Sequence, residues 1–310
     1  MKDRLVTVIG GGGFLGRYVV QALLRQGARV RVAERDPRRA FYLKPLGGLG
    51  QTQFVAADVT RPDTIARAIE GADAAVNLVG SFTGNLQRIH VGGALAVGEA
   101  AANAGASAVV HVSAIGADPA AESVYGRTKG EGEQAVRAAF SGATILRPST
   151  VFGREDRFLN RFAEMIARFP MVPVLRPQVR FQPVFAADVG DAVVAALADP
   201  EAHGGKTYEI AGPDILTMLD LHRWLAQAIG RDPSFVELPD AAGALLAALP
   251  LSPISGDQWK MLGRDAIAAP GAAGLEALGV APTPLGAVAP GWLVRFRRAG
   301  RFGARTAVQG

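Results

Sequence analysis

The chain has 310 residues, 49% of them hydrophobic and 20% charged, with 33 Lys and Arg against 28 Asp and Glu and a formal net charge of +5. So much apolar surface can offset the entropy of ordering a chain, which excludes a disordered tail-like protein, and the length suits one large α/β domain or two smaller ones. No cysteine is present, so disulfides, thiolate catalysis, iron–sulfur clusters and Cys-ligated zinc are excluded, and a reducing, cytosol-like compartment is permitted.

Met1 to Arg4 lead directly into the apolar run 5–9, without the charged region, apolar stretch and cleavage site of a signal peptide, so the mature protein is expected to begin here. Strands are predicted at 5–9, 30–33, 53–56, 74–78, 108–112 and 144–146. Helical periodicity lies between them at 15–26, 63–69, 95–103 and 123–139. Strands apolar on both faces and separated by helices imply a Rossmann-type, doubly wound parallel sheet. After Pro148 the rhythm breaks: 154–169 reads as a helix, 170–183 is Pro-containing, and 189–198 reads as another sheet-covering helix. From 204 onward, short strands, helices and Pro/Gly turns suggest a smaller C-terminal α/β cap on the carboxyl edge of the sheet, where such folds bind ligands. The domains expected are therefore 1–203 for nucleotide binding, with 149–183 partly contributing to the cap, and 204–310 for the cap and a basic tail. The greasiest stretch, 241–251, is too short to span a bilayer and is closed by Pro250 and Pro253; a short packed helix is the simplest reading, an interfacial segment the alternative.

The first strand runs into Gly10-Gly11-Gly12-Gly13-Phe14-Leu15-Gly16. A dinucleotide pyrophosphate needs a strand-to-helix turn without Cβ atoms, so that backbone N–H groups and the helix N-terminus reach the phosphates. Gly10, Gly13, Phe14, Leu15 and Gly16 are the candidates for that role. At the end of the second strand Glu34 suits the ribose hydroxyls of NAD, whereas Arg35, supported by Arg38 and Arg39, suits the 2′-phosphate of NADP. Three guanidiniums favour NADP(H) over NAD(H), and a solvated charged loop is the bland alternative. Asp58 and Val59 end the third strand where the adenine would lie. Leu78, Val79 and Gly80 end the fourth, where a glycine lets backbone approach a cofactor.

Tyr125 and Lys129 stand four apart near a helix start, hence on one face. A neighbouring cation favours the phenolate and is expected to lower the Tyr125 pKa toward the working range.

The glycine turn, the Asp58-Val59 pair and the YxxxK spacing resemble the extended and atypical short-chain dehydrogenases over roughly residues 3 to 200. In active members of that family the Tyr moves a proton to or from the substrate oxygen, the Lys holds the nicotinamide ribose, and a Ser or Thr binds the substrate oxygen. The resemblance makes Tyr125, Lys129 and Ser113 the catalytic candidates, but it aligns the usual Ser position with Ala114, which removes a donor worth about 3 kcal/mol of transition-state stabilisation. It also places Pro148, Ser149 and Val151 against the nicotinamide. The run 153–160 (GREDRFLN), with 77–80 and 111–118, resembles the NAD(P)H-binding accessory subunit of respiratory complex I and its bacterial relatives. That resemblance implies a tightly held, chiefly structural nucleotide, complex I subunits as partners, and a cytoplasmic location peripheral to the inner membrane. The alternatives are an NAD(P)-dependent oxidoreductase or epimerase acting on an apolar alcohol or ketone, and a nucleotide-dependent scaffold. Phe158, Phe162, Met165 and Phe169 recur at helical spacing and read as core packing.

His90, His111, His203 and His222 show no metal-ligand spacing, and His111 reads as a hydrogen-bonded core residue. No GxSxG elbow and no basic aromatic module for nucleic acid is present. The charge is uneven: residues 1–39 carry nine basic and three acidic side chains, and 277–310 carry five Arg and no acid. The second cluster, Trp292 to Arg298 with Arg301 and Phe302, reads as a tail for an anionic membrane surface or an acidic partner, with a solvated tail as the alternative.

Overall fold

The apolar runs of the first half form the strands expected of them: β1 (Leu5–Ile9), β2 (Arg29–Glu34), β3 (Thr52–Ala56), β4 (Ala74–Asn77), β5 (Ala108–Val112) and β6 (Thr144–Pro148). β4 and β5 are buried along their whole length, as strands covered on both faces must be. The computed structural model describes residues 1–249, 254–298 and 300. Its chain divides into two units, the first made of Met1–Pro148, Ala186–Ile210 and Ala269–Ala281 and the second of Ser149–Phe185, Ala211–Ala268 and the segment from Pro282 onward.

In the first unit a seven-stranded sheet has the order Thr207–Ile210, β6, β5, β4, β1, β2, β3. Every neighbouring pair is parallel. Strand order reverses between β1 and β4, so the carboxyl ends of those two strands open the crevice in which such sheets bind ligands. Four helices cross between strands: α1 (Phe14–Arg25), α2 (Pro62–Ile69), α3 (Gly93–Asn103) and α4 (Val124–Ala139). Ser123 caps α4, its hydroxyl accepting from the Gly126 N–H at 3.0 Å. Helix Ala186–Ala198 lies against α1; a Cβ at Gly190 would come 2.9 Å from the Tyr18 carbonyl oxygen. One core cluster joins Ile9, Ile65, Ile69, Val97, Val109, Val136 and Ile145.

The residues before α3 form a π-helical turn, Gln87–Gly92, of the kind often found at functional positions. It packs closely on α4, because a Cβ at Gly132 would lie 2.8 Å from the His90 carbonyl oxygen.

The second unit carries helices Leu159–Arg168 and Met218–Ile229 and three two-stranded ladders, the longest pairing Met171–Leu175 with Ser234–Leu238. Three sequence expectations are corrected here. The helix predicted from 154 begins only at Leu159, because the Asp156 carboxylate turns back to accept from the Gly153 N–H at 3.1 Å and the Leu159 N–H at 2.7 Å. Phe158, Phe162 and Met165 do pack on the core, but Phe169 is 56% exposed beyond the helix end. The basic segment is not a free tail as far as Arg298: Leu293 is fully buried, Trp292 stacks with Phe185 at 6.3 Å, and the Arg297 guanidinium donates to the Ala228 carbonyl oxygen at 2.9 Å. Arg301 and Phe302, like Pro250 and Pro253, lie outside the described residues. Asp240–Ala248 is helical, with Leu245 67% exposed. Among the described residues no helix is long and apolar enough to cross a membrane, and no His/Asp/Glu cluster could hold a metal ion.

Candidate dinucleotide site

Gly10 ends β1 with φ +81°, a left-handed conformation that glycine adopts without a Cβ penalty. Its N–H donates to the Ala33 carbonyl oxygen at 3.0 Å. A Cβ at Gly16 would collide with the Gly11 carbonyl oxygen and lie 2.7 Å from that of Gly10, so only glycine lets α1 begin this close to the turn. Gly13 is different: it is exposed, and its nearest neighbour for a Cβ is 3.4 Å away. Gly13 is the N-cap of α1, no side chain caps it, and the first turn, which begins with Phe14 and Leu15, holds no acid. A helix N-terminus in this state presents amide donors and a positive dipole end to an anion.

Two side chains that the sequence reading did not connect to the turn bracket its middle. Glu34 accepts from the Gly12 N–H at 2.7 Å, and the Tyr42 hydroxyl donates to the Gly12 carbonyl oxygen at 3.1 Å. The Arg17 guanidinium covers the Tyr42 ring at 4.4 Å. Tyr42 carried no sequence signal, since it lies in the 3-10 helix Pro37–Leu46 after β2, whose apolar residues follow no α-helical period. Arg35, Arg38 and Arg39 are all exposed next to Glu34.

At the opposite lip of the crevice, the Leu78 N–H donates to Ile9 and the Val79 N–H to the Asn77 side-chain oxygen, at 3.0 and 3.1 Å. Val79 meets the turn itself, its methyl lying 3.3 Å from a Cβ built on Gly10. Asp58 is engaged locally: its carboxylate accepts from the Thr60 N–H at 2.9 Å and the Thr60 hydroxyl at 2.8 Å. Those bonds, the backbone one foremost, hold its carboxyl below the usual range. Val59 packs against α3 at Gly93, where a Cβ would meet it at 2.8 Å.

Lys129 is buried on α4, and its ammonium donates to the Val112 carbonyl oxygen at 2.8 Å, at the end of β5. Burial pulls its pKa down to about 8. The next residue of β5's exit, Ser113, is also buried, and among the described residues its hydroxyl has no hydrogen-bond partner. Tyr125 retains some exposed surface, but its phenol is desolvated, which pushes its pKa up to about 12. This corrects the expectation of a lowered phenol pKa: desolvation outweighs any pull from Lys129. Phe82 stacks on the Tyr125 ring at 4.5 Å, and His90 meets its edge at 5.4 Å. His111 pairs with Asn77 across β4 and β5 at 3.1 Å, as a core histidine. Pro148 closes β6 and accepts from the Ile115 N–H at 3.0 Å. Ser149 and Val151 belong to the second unit, where the Ser149 hydroxyl donates to Ala266 at 2.6 Å and Val151 pairs with Val184.

The groups present fit a dinucleotide. The N-terminus of α1 has no capping side chain, although the Gly12 N–H is taken by Glu34; the exposed Gly13 leaves room beside it, and an orphan Ser113 hydroxyl lies where β5 ends. A nicotinamide dinucleotide supplies hydride chemistry when bound; Tyr125 could exchange a proton at its phenol oxygen and Lys129 could orient a ribose.

A parallel sheet with a glycine turn at its switch point, and a Tyr and Lys one helical turn apart, defines a Rossmann protein of the short-chain dehydrogenase type. Residues 6–211 match the NAD dependent epimerase/dehydratase family, and the chain belongs to that family. It is 34% identical over 295 residues to the mitochondrial NADH dehydrogenase (ubiquinone) 1 alpha subcomplex subunit 9 of Mus musculus, covering 91% of this chain and 77% of that protein. It is 32% identical over 253 residues to the ceramide reductase of Caulobacter vibrioides, covering 79% and 78% respectively. An NADPH-dependent quinone oxidoreductase from Escherichia coli, solved with NADPH, superimposes with a TM-score of 0.73 at 20% identity over 90% of this chain and 96% of that one, a likeness of fold. The protein is thus related to complex I subunits, in line with the resemblance seen at GREDRFLN.

Proposed function

We propose that this chain holds NADP(H) as a tightly bound, chiefly structural ligand with little or no turnover, in the manner of an accessory subunit of respiratory complex I. The observation that carries this reading is the contrast between the two halves of the site. The α1 N-terminus at Gly13 is uncapped and open to a phosphate, with Glu34 holding only the neighbouring Gly12 N–H, whereas the Lys129 ammonium is engaged by Val112 and Tyr125 lies under Phe82. Gly10, Gly13, Phe14, Leu15 and Gly16 take the pyrophosphate; Arg35 and Arg38 take the 2′-phosphate; Asp58 and Val59 border the adenine; and Leu78 to Gly80, Pro148 and Lys129 face the nicotinamide side. A ligand held this way stabilises the fold through mass action.

The relatives named as complex I subunits, all mitochondrial, support complex I as the partner and a membrane-peripheral location; the cytoplasmic side is part of the proposal. Arg157, Arg161 and Arg295 line one cleft of about 460 Å³ together with Asp156, Glu164, Asn160 and Phe296, so the support for an anionic membrane surface or an acidic partner lies in the Arg-rich C-terminal segment and not in this cleft. Mass spectrometry of nucleotide carried through native purification tests the reading: near-stoichiometric NADP(H) is expected, together with complex I subunits in pull-downs from native membranes. Rapid turnover of a carbonyl or alcohol substrate, abolished in Tyr125→Phe, would overturn it. That outcome would favour the second reading, a reductase of an apolar ketone, for which the unpartnered Ser113 hydroxyl and the ceramide reductase relative speak.

A further inference from the structure

After β4 the chain runs through residues 80–85 without helix or strand, yet this segment is ordered from within. The Ser81 hydroxyl donates to the Thr83 carbonyl oxygen at 2.8 Å and accepts from the Thr83 N–H at 3.1 Å, and Gly84 turns the chain with φ +86°. Ser81 ties the segment to His90, a buried histidine of the π-helical turn. The Ser81 N–H donates to His90 Nε2 at 3.1 Å, so the His90 proton sits on Nδ1, which donates to the Thr128 hydroxyl at 2.8 Å. Thr128 in turn donates to the Val124 carbonyl oxygen at 2.8 Å, one residue before Tyr125.

Between the segment's anchor and α4 lies Tyr125. Phe82 stacks on its face with the rings 16° from parallel, and a Cβ on Gly80 would stand 3.9 Å from the phenol oxygen. Phe82 nonetheless keeps 54% of its surface in water. A ring serving the core would be buried, so its placement is explained by what it covers.

We propose that residues 80–85 form a lid on Tyr125, with Phe82 deciding which substrates reach the phenol and His90 positioning the lid through Ser81. A substrate oxygen must take the place of Phe82, which selects flat or apolar carbonyl compounds able to lie on the Tyr125 ring. An aromatic pair of this kind favours a closed state over an open one by about tenfold. The inference rests on the reading that Tyr125 lies on the nicotinamide side of the dinucleotide site.

Nitration of the full chain by tetranitromethane, mapped residue by residue with mass spectrometry, tests it. Tyr42, 40% exposed, serves as the reactive reference and Tyr208, 3% exposed, as the protected one. In the wild type Tyr125, stacked under Phe82 and with a raised phenol pKa, is expected to react more slowly than Tyr42, the stack itself accounting for about two- to tenfold of the difference. In Phe82→Ala its rate should rise several-fold over wild type while staying below that of Tyr42, because the phenol remains largely desolvated, and in His90→Gln it should rise by a smaller factor, with Tyr208 protected in both. Equal Tyr125 rates in wild type and Phe82→Ala, or wild-type Tyr125 reacting as fast as Tyr42, would overturn the lid. Nucleotide content measured on the same preparations keeps the two proposals apart: a nucleotide-free wild type overturns the structural-ligand reading, while a Tyr125 response to Phe82→Ala still supports the lid.

Discussion

Glu34 accepts a hydrogen bond from the backbone N–H of Gly12 at 2.7 Å, so a carboxylate from the end of β2 sits on the glycine turn itself. The same strand end carries the exposed Arg35. Opposite charges therefore compete at the position that distinguishes NAD from NADP: the carboxylate repels a 2′-phosphate and the guanidinium attracts it. Glu34→Gln keeps the shape and a bond to Gly12 but removes the repulsion. NADPH affinity should rise about fivefold, equivalent to about 1 kcal/mol, while NADH affinity stays level or falls. Arg35→Ala should do the reverse. Fluorescence titration with both nucleotides checks this, and an unchanged NADPH:NADH ratio in both variants would remove these residues from the adenosine end.

The glycines of the turn divide into two kinds. At Gly16 a Cβ has no room, since it meets the carbonyl oxygens of Gly10 and Gly11, and backbone there cannot yield cheaply. Gly16→Ala should therefore cost about 3 kcal/mol of stability as well as nucleotide binding. At Gly13 the nearest atom is 3.4 Å away and φ is −80°. Gly13→Ala should leave urea-unfolding stability within about 0.5 kcal/mol of wild type but weaken dinucleotide binding by filling the space in front of the α1 amides. Equal binding loss without a stability difference would show that both glycines act only through the ligand.

A third expectation concerns the buried ion pair behind the site. The Arg147 guanidinium on β6 grips Glu133 of α4 with two bonds of 2.9 and 2.7 Å, and Glu133 is 5% exposed. Glu209 stands 3.7 Å away as a weaker partner. Glu133→Gln leaves Arg147, whose side chain is 27% exposed, with only Glu209 beside it, and should destabilise by about 1–2 kcal/mol. Removing both ends with Glu133→Leu and Arg147→Met should cost less than the two single changes together. Denaturant titrations of the four proteins give the coupling, and simple additivity would mean that the pair is not acting as a unit.

The parallel sheet was legible because its strands are largely apolar on both faces and all but the second are followed by a helical pattern; the glycine turn stood out because it falls between the first strand and the first helix. The parts that escaped are contacts between residues far apart in the chain and without periodicity. Phe82 reads as an ordinary loop aromatic until Tyr125 is placed beneath it, and the Tyr42 hydroxyl reaches Gly12 from the 3-10 helix Pro37–Leu46. The Tyr125–Lys129 spacing was visible, but its electrostatic consequence was not, because burial rather than the neighbouring charge dominates both groups. Likewise, Trp292 and Arg297 looked like parts of a basic tail. What fixes them is the aromatic cluster with Phe152 and Phe185 and the free carbonyl of Ala228, none of which is adjacent in sequence.

The buried Lys129 makes the last expectation one of pH. Its folded pKa, near 8, lies below the usual 10.5 because burial penalises the ammonium. Between those values the unfolded chain binds more protons than the folded one, so stability rises with pH across that window. From pH 8 to pH 10 the wild type should gain about 2 kcal/mol relative to Lys129→Met, in which this titration is absent. Tyr125 works in the opposite sense at higher pH. Its folded pKa near 12 exceeds the usual 10.0, so the folded chain keeps a proton that the unfolded one has lost, and stability falls above pH 10. Unfolding free energies measured at half-unit steps from pH 7 to pH 10.5 for wild type, Lys129→Met and Tyr125→Phe separate the two. A wild-type curve parallel to that of Lys129→Met throughout would mean that Lys129 titrates as an ordinary lysine, and that its ammonium is better solvated than its bond to Val112 indicates.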